Sequence, residues 1–354
     1  MRKMRINDLL DAQNEWLRGT GPMSGIALST RVRLARNVKG DLYFDRADAD
    51  QRENTLEKLF TALQKADSIT APTFLRMKDL SGLDRLFLVE RHLMSREHAG
   101  DTAHKGLVIG KSETISVMVN EEDHLRMQVM KPGFDIFEAW KTVDALDTEL
   151  SEHVQFDYSN KFGYLTSCPT NTGTGLRASV MLHLPALVMS NEIDVVFKGI
   201  SKLGLTMRGF YGEGTESLGD FFQISNQVSL GHSEIDVLDN LQRIINKVIA
   251  REKETRQNFL SEKKPEVMDR IARAYGTLKN ARIITSSETI KLLSVVRLGL
   301  DLEFIKEIDL ARINEILLLT QPAHIQKFYD LELGSHDRDV KRADLIREKL
   351  KTEG

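Results

Sequence analysis

Apolar residues recur along the first two thirds of the chain with two different spacings. Intervals of three and four residues, typical of amphipathic helices, cover residues 48–66, 83–98, 134–154 and 191–203. Alternating and β-branched runs predict strands over residues 26–37, 163–166, 177–184, 205–210 and 221–225, and a hairpin over residues 106–120. Because glycine-containing turns join these strands and regular strand-helix alternation is missing, we predict an antiparallel α+β fold.

The pattern changes after residue 233. Apolar positions at helical spacing predict one long helix there, and charged residues dominate residues 251–264, just before Pro265. Only helices are predicted beyond this proline, at residues 266–278, 287–298, 310–319 and 338–351. We therefore predict two domains, an α+β domain over residues 1–255 and an all-helical domain over residues 265–354.

Composition narrows the class of protein. The chain has 354 residues, more than one hydrophobic core usually organises, and its formal net charge is -3. This charge gives no general attraction to nucleic acid or anionic lipid, and no signal peptide or membrane-spanning run is visible. The single cysteine, Cys168, excludes an intramolecular disulfide. We expect a cytoplasmic protein with no membrane partner, no direct nucleic-acid partner and no metal site of its own.

Candidate chemistry begins with arginines. The motifs GxGxxG and GxxxxGK[ST] do not occur, so neither a Rossmann fold nor a P-loop is predicted. In the segment STRVRLARN, Arg31 and Arg33 are two residues apart, which places both guanidinium groups on one face of a strand. Such a pair suits a polyphosphate, because guanidinium binds phosphate oxygens in a bidentate manner. The alternative is two solvated arginines on an edge strand.

Carboxylates crowd the segment NEEDHLR, residues 120–126, at a predicted strand end. Neighbouring carboxylates raise one another's pKa, which suits a general base, and Arg126 could hold a phosphate nearby. The alternative is a solvated acidic turn. Strand periodicity does not decide whether Glu121 or Glu122 faces a site.

Two glycine-containing loops complete the candidate segments. SCPTNTGTGLRAS, residues 167–179, carries Cys168 and Arg177, and the cysteine is either a thiolate beside hydroxyl donors or a small buried apolar residue. RGFYGEGTES, residues 208–217, couples Arg208 to Glu213 and Glu216 among glycines. The glycines favour a loop that closes over a ligand, although a tight turn would also explain them.

In this order the four segments resemble those of the phosphagen kinases, the family of creatine and arginine kinases, over about residues 24–251. The resemblance implies a phosphagen-kinase-like catalytic domain, with an antiparallel sheet flanked by helices, that uses ATP and Mg²⁺. It implies that the ATP phosphates are surrounded by Arg31, Arg33, Arg126, Arg177 and Arg208, with His92 as a nucleotide-side contact. The wider nucleotide-binding set that it implies is Ser29, Thr30, Val32, Ala178, Ser179, Val180, Met181, Gly209, Phe210, Tyr211, Gly212 and Glu213.

The acceptor side follows from the same resemblance. Glu122 and Glu213 are implied to bind the guanidinium of the acceptor, with Cys168 against its other edge. Glu122 is assigned as the base, and the resemblance rather than strand phase selects it over Glu121. A guanidinium is a cation and a poor nucleophile, so carboxylates that orient it and accept a proton are what the reaction needs.

Two features depart from small-molecule phosphagen kinases. Only 28 residues precede STRVR, where those kinases carry a helical domain of roughly a hundred residues, about the size of a small domain. The helical segment after Pro265 is also foreign to creatine kinases. Both features resemble the bacterial protein-arginine kinases, which mark proteins for proteolysis and phosphorylate a heat-shock repressor. RDVKRA, residues 338–343, resembles that subfamily's phosphoarginine-binding motif and implies that Arg338, Asp339, Arg342 and Ala343 bind phosphoarginine. We accordingly expect the helical domain over residues 265–354 to serve regulation and substrate docking.

We therefore predict a kinase that phosphorylates arginine residues in proteins, including a repressor and unfolded proteins. The resemblance implies three further partners: a Clp-type protease, an activator protein and a second copy of the chain in a homodimer. One alternative is a kinase for free arginine or another small guanidino compound. The other is a catalytically inert adaptor that binds phosphoarginine proteins through its C-terminal region.

Overall fold

The computed structural model describes residues 6–10, 14–209 and 217–351. The predicted site residues Phe210, Tyr211, Gly212 and Glu213, together with Glu216, lie outside the described residues. In the described part of the chain, no helix is both long enough and apolar enough to cross a bilayer.

Antiparallel strands form the centre of the molecule. Within the described residues, eight strands build one sheet in the order β2-β3-β4-β5-β1-β8-β10-β9, and β6 pairs with β7 in a separate ribbon. The strands are β1 Ala27–Arg36, β2 Thr73–Arg76, β3 Gly106–Ile109, β4 Ile115–Val119, β5 Leu125–Pro132, β6 Tyr158–Ser159, β7 Gly163–Tyr164, β8 Leu176–His183, β9 Leu205–Gly209 and β10 Phe221–Asn226.

Helices cover the sheet and form the whole C-terminal region. Several begin at side chains that accept a hydrogen bond from the first turn, such as Asp48 for α1 and Ser233 for α7. The helices are α1 Ala49–Leu63, α2 Gly82–Glu90, α3 Arg96–Gly100, α4 Ile136–Ser151, α5 Pro185–Met189, α6 Ile193–Lys202, α7 Glu234–Glu262, α8 Lys264–Asn280, α9 Ser286–Asp301, α10 Leu310–Leu319, α11 Pro322–Tyr329 and α12 Ser335–Lys349. The prediction of an antiparallel α+β fold followed by helices is confirmed.

Successive side chains of strand β1 point to opposite faces of the sheet. Val32 and Leu34 point into a large core that contains apolar side chains of α1, α4 and α7. Arg31 and Arg33 alternate with them and therefore point to the opposite face. The pairing with β8 shifts between Ala27 and Ser29, so one extra residue, Leu28, bulges there and changes which positions face the core.

The C-terminal helices pack directly on the arginine-bearing face, at one end of it. Leu28, Met130, Met181 and Phe221 from the sheet are buried in the same apolar cluster as residues of α8 and α9, such as Val267, Ile271 and Leu293. This leaves the other end of the face, where the arginines lie, for a ligand.

The predicted secondary structure differs from the observed one at several places. Residues 83–98 form two helices rather than one, because the chain turns at Arg91–Ser95 and His92 adopts a φ of 60°. Strand β5 was not predicted, although its residues 125–132 pair with β1 over their whole length. The predicted strand at residues 163–166 is only the two-residue strand β7. The predicted boundary region, residues 255–265, is helical on both sides of Lys263.

Candidate active site on the arginine-bearing face

Arginines from neighbouring strands meet on one face because of the strand register. Arg33 of β1 pairs with Arg177 of β8, and Ala35 pairs with Arg126 of β5. Arg31 donates to Gln223 Oε1 of β10 at 2.9 Å, and Gln223 pairs with Arg208 of β9. Five strands that are distant in sequence thus bring together the arginines that the sequence analysis singled out.

These guanidinium groups repel one another. Burial, followed by the charges of Arg126 and Arg177, lowers the pKa of Arg31 to about 10. Burial and the neighbouring arginines hold the pKa of Arg33 well below its usual value, and burial with Arg208 lowers that of Arg177. Among the described residues, the buried Nε atoms of Arg33 and Arg177 have no hydrogen-bond partner. Repelling cations with unused donors fit a polyanion such as a nucleotide polyphosphate.

Glu121, one of the two candidate carboxylates, is paired with an arginine of the cluster. Glu121 is 8 % exposed. Arg126 Nη1 donates to both of its carboxylate oxygens, Oε1 at 2.7 Å and Oε2 at 2.6 Å. Ser95 Oγ donates to the same carboxylate at 2.6 Å. Burial would raise the pKa of Glu121, but Arg126 and Ser95 hold it below its usual value. Glu121 therefore stays charged and fixes the position of Arg126.

The other carboxylate lines a recess. Glu122 borders a recess of about 100 Å³, together with Cys168, Arg33, Arg126 and Arg177. Burial, then Asp123 and Glu121, raise the pKa of Glu122, while Arg126 and a hydrogen bond from Cys168 oppose the rise. Cys168 Sγ also lies 3.0 Å from Thr170 Oγ1. A carboxylate of raised pKa and a thiol beside an arginine cluster can bind a cation and remove a proton from it.

Hydrogen bonds hold the Glu122 and Cys168 segments together. Asp123 Oδ1 accepts from Asn37 Nδ2 and from the backbone N–H of Ser167, both at 2.7 Å. Ser167 Oγ in turn donates to the Glu122 carbonyl at 2.9 Å. Asp123 and Ser167, the sequence neighbours of Glu122 and Cys168, thus fix the position of the thiol relative to the carboxylate.

A buried serine supports the loop after Cys168. Ser229 is fully buried, and its hydroxyl lies within 3.4 Å of the carbonyl oxygens of Thr170, Asn171 and Thr172. Neither Ser229, Gln223, Asp123 nor Ser95 was predicted from sequence. Only Asp123 had a signal, since it lies within NEEDHLR, whereas the others depend on contacts between distant segments.

His92 lines a smaller cavity on the same face. This cavity, of about 10 Å³, is also bordered by Ser29, Arg31, Ser179, Met181 and Gln223. Burial, then Arg31, lowers the pKa of His92 to about 3, so the ring is neutral. A neutral imidazole suits contact with an uncharged part of a nucleotide rather than with a phosphate.

Strand alternation separates the predicted nucleotide-binding runs into two sets. Ser29, Arg31, Arg33, Arg177, Ser179 and Met181 line the two cavities. Val32, Ala178 and Val180 are instead part of the core on the opposite face, and Thr30 Oγ1 donates to the Gly133 carbonyl at 2.7 Å. The side chains of these four residues therefore do not line the two cavities, and nucleotide binding by these residues stays a prediction. Arg208 is exposed, and Gly209 ends β9.

The RDVKRA motif lies on α12, where it makes structural contacts. Arg342 is 1 % exposed and donates to the carbonyl oxygens of Thr320 at 2.8 Å and Ile284 at 3.0 Å, and it also bonds Asp339. Arg338 donates to the Leu333 carbonyl at 2.7 Å. Ala343 is buried in the C-terminal core. Phosphoarginine binding by these four residues stays a prediction, and Arg342 has a packing role in addition.

A metal ion has few candidate ligands on the protein. Over residues 6–10, 14–209 and 217–351, no group of three or more His, Cys, Asp or Glu side chains could hold one. Mg²⁺ often binds through substrate phosphates and water with little protein ligation. The donor set here fits a magnesium ion that arrives with its nucleotide.

The fold and the site define a phosphotransferase that uses ATP and acts on guanidino groups. Residues 54–255 match the family model described as the C-terminal catalytic domain of ATP:guanido phosphotransferases. Residues 264–354 match the model described as the C-terminal domain of the protein-arginine kinase McsB. The chain belongs to the ATP:guanido phosphotransferase family, in its protein-arginine kinase branch.

Curated relatives extend over nearly the whole chain. A protein-arginine kinase of Halothermothrix orenii is 45% identical over 98% of this chain and 99% of its own length. The protein-arginine kinase of Bacillus subtilis is 42% identical over 97% of this chain and 95% of its own. These relatives carry both regions in the same order.

Solved structures share the fold. The duplicated taurocyamine kinase of Schistosoma mansoni, with bound transition state analogue components, has a TM-score of 0.60 and 30% identity over 66% of this chain and 34% of that chain. A lombricine kinase has a TM-score of 0.57 over 67% of this chain and 70% of its own, at 23% identity, which shows the fold alone.

Proposed function

We propose that this chain transfers the γ-phosphoryl group of ATP to the guanidinium group of arginine residues in proteins. The recess lined by Glu122, Cys168 and three arginines carries the proposal, because it juxtaposes groups that bind a cation with groups that bind a polyphosphate. The curated relatives, which are named protein-arginine kinases, support a protein as the acceptor.

The arginine cluster binds and neutralises the triphosphate. Donors around the phosphate oxygens come from five arginines, Arg31, Arg33, Arg126, Arg177 and Arg208, and a Mg²⁺ ion carried by the nucleotide would further neutralise the phosphate charge. Charge that spreads over the transferring group meets fixed guanidinium groups, so little reorganisation is needed. Burial and mutual repulsion lower the pKa of Arg31 and Arg33, and the same anion would relieve the repulsion.

The acceptor binds at the other side of the recess. Glu122 orients the arginine guanidinium and Cys168 contacts its edge, with Glu213 proposed as the second carboxylate. One guanidinium nitrogen attacks the γ-phosphorus in line, an N–P bond forms, and the bond from phosphorus to the β,γ-bridging oxygen breaks. The proton of the attacking nitrogen passes to the Glu122 carboxylate, and ADP leaves.

Mass spectrometry at neutral pH tests the proposal. An arginine-containing unfolded protein such as reduced casein is incubated with the full chain and Mg-ATP, with free arginine assayed in parallel. We expect phosphate on arginine side chains of the protein and none on free arginine. Phosphorylation of free arginine alone would identify a small-molecule kinase instead, and nucleotide-free binding of phosphoarginine proteins without turnover would identify an adaptor.

We further infer from the resemblance that the product marks proteins for a Clp-type protease and that a heat-shock repressor is one target. An activator protein, a homodimer and a cytoplasmic location belong to the same proposal, as does phosphoarginine binding at Arg338, Asp339, Arg342 and Ala343. Light scattering of the purified chain tests the dimer. Calorimetric titration with free phosphoarginine, using wild-type and Arg338→Ala protein, tests the motif, because Arg338 is less embedded in the fold than Arg342.

A further inference from the structure

Helix α2 ends in a carboxylate that binds the start of α11. Glu90, the last residue of α2, accepts hydrogen bonds from the backbone N–H groups of Ala323 at 2.8 Å and of His324 at 3.0 Å. It also lies 2.7 Å from His324 Nδ1. A residue of the catalytic-domain match, residues 54–255, thus contacts two residues of the C-terminal match, residues 264–354, through three donor groups.

The sequence of α11 explains why it needs this partner. The first N–H groups of a helix have no acceptor within the helix. Gln321, at the N-cap, makes no side-chain capping bond, and Pro322 has no N–H. Glu90 therefore supplies from another helix the acceptor that α11 lacks, and its negative charge suits a helix N-terminus.

The His324 ring adds a bond of defined direction. Burial lowers the pKa of His324, although Glu90 opposes this, so the ring is neutral at neutral pH. A carboxylate can only accept, so Nδ1 carries the ring proton and donates it to Glu90.

The residues that follow Glu90 lead to His92, which lines the nucleotide-side cavity. Arg91 donates to the buried carboxylate of Glu113 at 2.8 and 2.6 Å. His92 follows with a φ of 60°, a conformation that L residues rarely adopt, and its carbonyl accepts from Gln128 Nε2 at 2.7 Å. The His92 ring lines the cavity that contains Arg31. An uncommon backbone conformation persists only where surrounding contacts hold both ends of the turn.

We propose that Glu90 is a positioning residue for nucleotide binding: by capping α11 it anchors the end of α2 and holds His92 in the nucleotide cavity. This inference rests on the proposed function, since it takes the cavity beside Arg31 to bind nucleotide. It couples the C-terminal helices to the nucleotide site, although none of the described residues that line the cavity belongs to these helices.

Calorimetric titration of the full chain with Mg-ADP tests the inference without turnover. We expect Glu90→Ala to weaken Mg-ADP binding about tenfold, because His92 is then no longer held in the cavity. Glu90→Gln keeps an acceptor oxygen but loses the charge, so its loss should be smaller. Steady-state assays should show a raised KM for ATP with an unchanged KM for the protein acceptor.

Lys327→Met is the matched control. Lys327 of α11 pairs with Asp84 of α2 at 2.5 Å, so the variant removes a contact between the same two helices away from His92. Its Mg-ADP affinity should stay within about twofold of wild type, as expected for an ion pair that is not at the site. Thermal unfolding of each variant shows whether it is folded at the titration temperature.

The outcomes separate the two proposals. Wild-type protein that binds no Mg-ADP would contradict the proposed function and, with it, this inference. Wild-type protein that binds while Glu90→Ala and Glu90→Gln bind equally well would overturn the role of Glu90 alone. If Glu90→Ala does not fold, Glu90→Gln decides, because it preserves the shape of the side chain. An equal loss in Lys327→Met would make the effect one of general helix packing and would also overturn it.

Discussion

At the scale of single residues, Glu122 and its neighbour Glu121 have different environments. Glu121 is buried and paired with Arg126, whereas Glu122 lines the recess and has a raised pKa. The proposed acceptor chemistry therefore depends on one of two adjacent, chemically identical side chains.

Substitution of these residues should remove turnover without removing the fold. Glu122→Gln cannot accept the guanidinium proton, so we expect kcat to fall by about 10²- to 10⁴-fold, the usual contribution of a general base. Cys168→Ala should lower kcat by a smaller but clear factor. The exposed Glu152→Gln is the control. Single-turnover assays with thermal unfolding check this, and full activity of either site variant would refute its role.

The pH dependence should respond to Asp123. The charge of Asp123 contributes to the raised pKa of Glu122. Asp123→Asn removes that charge but keeps an Oδ1 that can accept from Asn37 and Ser167. The pKa of Glu122 should then fall, so the base stays deprotonated to lower pH and the acid limb of kcat moves to lower pH. A limb that is unmoved, or that moves to higher pH, would contradict the assignment of Glu122 as base.

At the scale of elements, buried ion pairs join strands to helices. Arg36, at the end of β1, is 1 % exposed and donates to Asp147 of α4 at 3.0, 3.2 and 2.8 Å. Its guanidinium also lies over the Tyr164 ring, 3.4 Å from the centroid. The pair fixes the end of β1 that leads to Asn37 and so to the Glu122 segment.

Removing one partner of this pair should be costly. Asp147→Ala leaves Arg36 charged and buried, so we expect the free energy of unfolding to fall by about 3–5 kcal/mol. Asp269→Ala on α8 removes the ion pair with Arg273, in which the Asp269 side chain is 62% exposed. This variant should change the free energy of unfolding by less than about 0.5 kcal/mol. Urea unfolding of both variants measures the difference. Similar small losses in both would show that Arg36 finds another partner.

At the scale of the whole molecule, the two predicted domains share a core. Leu28, Met130, Met181 and Phe221 of the sheet are covered by C-terminal helices. Arg297 of α9 also bonds Asn314 of α10 at 2.6 Å and the Ser24 carbonyl at 2.5 Å. The C-terminal region is therefore more than an appended docking module.

A chain ended at residue 263 should not be stable. It would expose the apolar residues that α8 and α9 cover, so we expect aggregation or a much lower melting temperature. The full chain should unfold in one cooperative transition, because the core is continuous. Calorimetry of both proteins checks this. A monomeric fragment that melts like the full chain would show that the shared core contributes little.

The sequence alone determined much of the fold and of the site. Periodicity placed β1, β8, β10, α1 and α4, because two- and 3.6-residue repeats need no knowledge of partners. It failed at residues 83–98, where Glu90 and Gln128 hold a turn that periodicity cannot show. Strand β5 was missed because its pairing with β1 and β4 is a tertiary property.

The candidate site shows most clearly what the sequence determined and what only the tertiary structure decided. The motifs and the family resemblance singled out Arg31, Arg33, Glu122 and Cys168, all of which line one of the two cavities. Only the tertiary structure showed that Glu121 pairs with Arg126 and that Val32 and Val180 point into the core. It also revealed the contacts made by residues of distant segments, namely Gln223, Ser229 and Glu90. Spacing along a chain encodes which residues share a face, whereas contacts between segments far apart in sequence arise only when the faces are packed together.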